Sequence, residues 1–229
     1  MTEIQAARRG RWAVAAMFLA NGFTMGAWAP QIPLLLPRHD ISEFTLGLLI
    51  LALGLGAVGA MLFAGRLIAR FGSQTVLRVF ALSIVPVLPA VVYAPNIASL
   101  ALAMALLGAM LGCMDVAMNA NAVEVERRLG RAIMSSSHGF WSLGGFIGGA
   151  AGGWVLERAG AEAQALWAAG GAAVLVLAAM PFLIVEERAP VPVADAGAPR
   201  PRLIPREGIV LLLGMLALFS MVPEGAVLD

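Results

Sequence analysis

Two stretches of this chain, A-G-R-L-I-A-R-F-G from Ala64 to Gly72 and G-G-W-V-L-E-R-A-G from Gly152 to Gly160, lie 88 residues apart and share a pattern. At that offset Gly65 meets Gly153, Arg70 meets Arg158 and Gly72 meets Gly160. Upstream, Leu55-Gly56 meets Leu143-Gly144 at the same spacing. The sequence around both copies is apolar: 60% of the 229 residues are hydrophobic, 13% are charged and mean hydropathy is +0.87, outside the range of soluble domains. A helix needs about 20 mostly apolar residues to cross a bilayer. The apolar runs predict six spans, Trp12–Leu36, Phe44–Ile68, Val76–Tyr93, Ile97–Asn119, His138–Leu156 and Ala163–Val185, and a seventh that begins at Gly208. Each copy of the repeat therefore follows the second helix of a group of three.

Charge placement orients these spans. All 15 basic residues are arginine, and 13 of them precede the first span or fall in even-numbered connections; only Arg38 and Arg158 lie in odd ones. Cytoplasmic segments carry the excess of basic residues, so the N-terminus and the even connections are expected inside. One copy of the repeat is then inside and the other outside, and the two three-helix groups have opposite topology. Inverted repeats of this kind mark transporters, whose substrate sites lie at the repeat interface near mid-membrane. The expected location is a cell (inner or plasma) membrane, crossed several times.

The first span is read as retained and not as a cleaved signal, because its apolar run continues to Leu36 and Pro30 would follow the cut at Ala29. Cys113 is the only cysteine, which excludes disulfides within the chain and thiolate metal cages. No phosphate loop, metal-ligand pattern or catalytic triad occurs, so no cofactor, metal, nucleic-acid partner or enzymatic activity is expected. The sixth connection, 186–207, holds five prolines among charges and alanines and reads as a flexible cytoplasmic tether. The expected organisation is a six-helix bundle over 1–185, that tether, and the start of a second bundle over 208–229.

G-x-L-x-x-R-x-G, carried by Gly65, Arg70 and Gly72, resembles the signature loop between the second and third helices of the major facilitator superfamily. Its usual acid is replaced by Ala69, and the basic residues that normally follow are replaced by Ser73 and Gln74. D-V-A-M-N-A-N-A-V-E-V-E from Asp115 and M-S-S-S-H-G-F-W-S-L-G-G-F-I-G-G from Met134 resemble the fourth and fifth helices of the sugar-permease branch typified by fucose–proton symporters. P-E-G-A-V-L-D, Pro223 to Asp229, resembles the start of that branch's seventh-helix motif. The resemblance implies an all-α membrane protein built as a six-helix bundle of three-plus-three inverted repeats with an incomplete seventh helix. Its missing partner would be the second half of the transporter.

Asp115 is the leading candidate for proton coupling. A carboxylate at a span's centre costs about 2.5–3.5 kcal/mol on insertion scales, so it is expected to face a cavity or a partner. Asn119 lies one turn further on and can share that cavity. The fucose symporters have a glutamate at this position, and the resemblance implies proton coupling there. Their second acid, in the first helix, corresponds to Ala29 when Gln31-Ile32-Pro33 is aligned.

That helix offers Asn21, Thr24, Trp28 and Gln31 on one face, groups suited to hydrogen-bonding and stacking a polar, uncharged solute or, equally, to helix packing. His138 and Trp141 open the fifth span one turn apart: His138 could relay protons, and Trp141 could line the cavity or anchor the interface. Glu224, beside Pro223, resembles the acid at a broken transporter helix. Gly144, Gly148 and Gly152, with Gly108 and Gly112, are stripes that admit a neighbouring backbone. The expected function is proton-coupled transport of a small polar solute, a sugar among the candidates. Drug or metabolite efflux and a non-functional truncated fragment are the alternatives.

Overall fold

A computed structural model describes residues 3–186. The expected seventh helix, almost all of the proline-rich connection, and Glu224 therefore lie outside the described residues. The described chain is all helix and connection: α1 Glu3–Trp28, a 3-10 segment Ala29–Leu34, α2 Leu35–His39, α3 Glu43–Phe71, α4 Ser73–Val92, α5 Ile97–Leu129, α6 Met134–Ala179 and a closing 3-10 turn Met180–Phe182. Four helical stretches are long and apolar enough to cross a membrane: Glu43–Phe71, Ser73–Val92, Ile97–Leu129 and Met134–Phe182. In α1 three arginines occupy the first half, and the apolar part starts only at Trp12.

Local chemistry explains where these helices start and stop. The α-helical part of the first expected span ends at Trp28, short of Leu36, because Pro30 and Pro33 lack the N–H groups an α-helix requires and the chain tightens into a 3-10 segment. Ser42 caps α3 by accepting the Thr45 N–H, and Asn96 with Ser99 forms a reciprocal capping box at the start of α5. α5 continues through the charged stretch to Leu129 and stops at Gly130 (φ 65°), so most of what reads as a polar connection is helix. The spans expected at His138–Leu156 and Ala163–Val185 lie in one hydrogen-bonded stretch, α6, which turns at Gly160; Pro181 ends its helical run early.

The repeated stretches end alike. Gly72 (φ 83°, ψ 151°) separates α3 from α4, and Gly160 (φ 84°, ψ 172°) breaks α6. This backbone region is essentially reserved for glycine, because a Cβ clashes with the neighbouring peptide. Gly72→Ala and Gly160→Ala are each expected to lower stability by about 1–3 kcal/mol in thermal unfolding. Gly65→Ala is expected to be silent, since Gly65 has open space and no such torsion. A silent Gly160→Ala would mean that this turn is not a fixed part of the fold.

Packing repeats the same relation. A Cβ on Gly22 would meet the Trp141 carbonyl oxygen at 2.0 Å, and one on Gly108 would meet that of Leu53 at 1.9 Å. A Cβ on Gly144 would meet the Leu19 oxygen at 2.2 Å, and one on Gly56 that of Ala105 at 2.0 Å. Gly26 lies against Gly145 as Gly112 lies against Ala57. In all three sets the α1 and α5 positions differ by 86 residues and the α3 and α6 positions by 88. Thus α1 grips the first part of α6 as α5 grips α3, backbone against backbone, through the close approach that small residues permit. On α6 a Cβ is obstructed at Gly144, Gly148 and Gly152; one at Gly145 or Gly149 would have ordinary room, although the Gly145 backbone lies tight against Gly26, and Gly153 stands in open space.

The buried core runs between these pairs, with Phe18, Met17, Leu77, Met104, Leu107, Met114 and Met118 fully enclosed. The outer faces stay apolar. Phe44, Leu55, Leu62 and Phe63 of α3 are exposed, as expected where hydrocarbon is the solvent.

Candidate functional site

The polar groups within the apolar helices fall into three places. The first is the open side of α5, where Asp115 and Asn119 are both half-buried. The Asn119 amide donates to the Asp115 backbone carbonyl at 2.9 Å and to its carboxylate at 3.4 Å. Among the described residues no arginine pairs with Asp115 within 4.0 Å. His138, exposed at the start of α6, lies within electrostatic reach of it. The imidazole of His138 packs edge-on against Phe18 of α1, with centroids 5.1 Å apart.

One helical turn before Asp115, the Leu111 carbonyl accepts from the Asn21 amide at 3.4 Å, and the Asn21 oxygen accepts from the Trp141 indole at 2.9 Å. Asn21 thus ties α1 to both α5 and α6 and fixes the tilt of Trp141, which is 37% exposed. Five residues singled out by sequence, Asp115, Asn119, His138, Asn21 and Trp141, come together here. The carboxylate, with an amide and an imidazole nearby, can hold and pass a proton; the indole, tied through Asn21 to the preceding turn of α5, offers a flat apolar face.

The second place lies at the other end of α1, and it takes the remaining first-helix candidates away from this cluster. Thr24 is buried and turns its hydroxyl back to the Ala20 carbonyl at 2.9 Å. Trp28 is buried in the core. The Gln31 amide donates to the Ala161 carbonyl at 2.9 Å and to the Gln164 side chain at 2.5 Å, and Gln164 donates to the Ala27 carbonyl at 2.7 Å. This lock joins the end of α1 to the chain just after Gly160 and satisfies backbone carbonyls near the 3-10 segment. Because α1 is enclosed on several sides, a shared helical face does not mean a shared environment.

The third place lies where α4 and α5 meet the end of the described chain, and sequence reasoning missed it. Arg78 donates to the Met180 carbonyl (3.2 and 2.8 Å), Gln74 to that of Leu183 (2.6 Å), Asn121 to that of Ile184 (2.8 Å) and Arg128 to that of Val185 (2.6 Å). The Ser73 N–H donates to the Glu186 carboxylate at 3.2 Å, and Asn121 also donates to the Ser73 hydroxyl at 3.0 Å. Ser73 and Gln74, which replace the basic residues of the resembled loop, thus hold the 180–186 segment with neutral groups. The signal available was Asn121 itself, an amide in a helical run that does not share the Asp115 face. Asn121→Leu is expected to cost about 1–3 kcal/mol, since the carbonyl and hydroxyl it serves are left unpaired. Thermal unfolding measures this, and a cost near zero would mean that the clamp contributes no stability.

Of the loop motif, Gly72 makes the turn described above. Gly65 stands in open space, and Arg70 lies over the Phe71 ring at 5.1 Å.

A family description of the major facilitator superfamily matches residues 6–226. The chain belongs to the major facilitator superfamily. The family is one of membrane transporters and not of enzymes, so the chain is a multi-pass membrane protein of a transporter family. The chain is similar to the uncharacterized transporter y4wD of Sinorhizobium fredii, 35% identical over 216 residues, covering 94% of this chain and 56% of the relative. It is also similar to an uncharacterized MFS-type transporter of Yersinia pestis, 33% identical over 219 residues, with 93% and 54% covered. Membrane protein MosC of Rhizobium meliloti is 35% identical over 132 residues, 58% of this chain and 32% of that protein. The chain thus spans about half the length of the first two relatives. No solved structure matches it.

Proposed function

We propose that residues 1–185 form the N-terminal six-helix bundle of a secondary transporter that moves a small polar solute by alternating access, driven by protons. The grouping of Asp115 with Asn119 and, through Asn21, with Trp141 and the neighbouring His138 carries this reading: two ionisable groups and one stacking surface that stay partly exposed on apolar helices. In this reading Asp115 holds the transported proton and His138 exchanges it. Asn119 and Trp141 contact the solute, and Asn21 positions Trp141.

The three-plus-three inverted repeat is supported by the matching turns at Gly72 and Gly160 and by the constant offsets of the glycine contacts. Arginine distribution supports a cytoplasmic N-terminus. Residues 186–207 would tether this bundle to a second one that begins near 208, to which Glu224 would belong as a further solute-binding group. Thr24, Trp28 and Gln31 then shape the bundle around the path and do not touch the cargo.

The resemblance to fucose–proton symporters makes sugars the first solutes to test. Proteoliposomes made with the protein as its gene expresses it would be given an inward proton gradient and a panel of labelled sugars. Uptake that collapses with a protonophore is the expected result. Sugar flux indifferent to the gradient, with expulsion of dyes in its place, would replace this reading with efflux.

A further inference from the structure

At the charged end of α1 two cavities share one wall. The first, about 370 Å³, is lined by Ile4, Arg8, Arg11, Trp12, Leu129 and Arg131. The second, about 540 Å³, is a mainly apolar groove between Trp12, Ala13 and Ala16 of α1 and Val174, Leu175 and Ala178 of α6, lined also by Arg9 and Phe182. Trp12 belongs to both, and it is 61% exposed.

Three guanidinium groups around one small cavity repel each other unless an anion joins them. The acids close by in sequence are engaged elsewhere: Glu124 pairs with Arg127 and Arg128, and Glu126 accepts the N–H groups of Ile133 and Met134. Glu3 is the only acid on α1. Trp12 marks the level of the membrane boundary, since it begins the apolar run of its helix and such rings concentrate at that depth. A cationic cavity at this boundary, opening beside a groove of hydrocarbon character, matches one ligand chemistry: a phosphate headgroup attached to an acyl chain.

We propose that the two cavities form a single site for an anionic glycerophospholipid. Its phosphate sits among Arg8, Arg11 and Arg131, and an acyl chain passes Trp12 into the groove between α1 and α6. Basic pockets at membrane boundaries bind anionic headgroups in this way. The lipid would hold the start of α1 against the α5–α6 connection and the end of α6. The proposal depends neither on which solute is moved nor on whether transport occurs.

The test uses the protein in micelles titrated with phosphatidylglycerol or phosphatidylcholine carrying bromine on the acyl chains, which quench nearby tryptophan. Phosphatidylglycerol is expected to quench at a mole fraction at least about fivefold lower, the factor that the attraction of a single arginine to a headgroup supplies. The quenched amplitude should fall in Trp12→Phe. The preference should vanish when Arg8, Arg11 and Arg131 are all replaced by Gln and survive in Arg66→Gln, which removes a charge elsewhere. Circular dichroism verifies folding; should the triple variant fail to fold, Arg131→Gln, outside the helices, reads the same preference and should reduce it. Equal quenching by the two lipids, or a preference untouched by these substitutions, overturns the proposal. Displacement of the lipid by inorganic phosphate at constant ionic strength also overturns it, by showing a site for small anions.

Discussion

Gly22→Ala is expected to prevent normal assembly of the bundle, although it adds a single methyl group. The added carbon would sit 2.0 Å from the Trp141 carbonyl oxygen and 2.8 Å from its carbonyl carbon, and both belong to the backbone of α6. No rotamer relieves such a contact; the two helices must separate. Separation would stretch the Asn21–Trp141 hydrogen bond and loosen the Gly26–Gly145 and Gly144–Leu19 approaches above and below it.

Overpacking in a rigid core costs about 1–3 kcal/mol even where side chains can shift, and backbone obstruction belongs at or above the upper end. The control is Gly54→Ala, in the same kind of apolar helix but with nothing within 4 Å. There the better helix former should stabilise by up to about 1 kcal/mol. Thermal unfolding and size-exclusion profiles of the two variants should therefore move in opposite directions. If Gly22→Ala and Gly54→Ala behave alike, the close approach of α1 and α6 is not the packing described above.

Asp115→Asn is the second large effect expected, and it falls on activity while leaving the fold intact. The amide keeps the shape of the carboxyl and can still meet the Asn119 amide, but it cannot take up or release a proton. Among the described residues no arginine pairs with Asp115, so the substitution strands no buried cation. In the proposed mechanism, accumulation against a gradient should fall by a factor on the order of 100 or more, the range seen when an obligatory proton-transfer group is removed. Exchange of solute across the membrane without net proton movement should continue. Asp115→Glu should restore part of the accumulation with an altered pH profile, which a structural residue would not do. Gradient-driven uptake at the normal rate in Asp115→Asn would remove this residue from the coupling path.

Several features were legible in the sequence. The repeat at 88 residues marked two turns that adopt the same glycine backbone, because φ near +84° admits no side chain and leaves its mark in sequence. The glycine stripes announced close helix contacts because a residue without a side chain lets a neighbouring backbone approach. Asp115 stood out because an acid in hydrocarbon is costly enough to need a purpose. These signals are local: each is one residue's own free energy in a known surrounding.

Tertiary structure decided the direction in which each polar group faces. Helical periodicity puts Asn21, Thr24 and Trp28 on one face, but α1 has neighbours on several sides, so that face meets α5, α6 and its own backbone along its length. Gln31 was equally suited in sequence to a solute and to helix packing, and it is held by Ala161 and Gln164, some 130 residues away. Ser73 stood in the sequence only as a departure from the resembled loop, yet with Asn121 it holds the segment at Ile184. A polar side chain in an apolar helix must find a partner, and the sequence determines that need. Which partner satisfies it depends on helices distant in sequence that packing brings side by side.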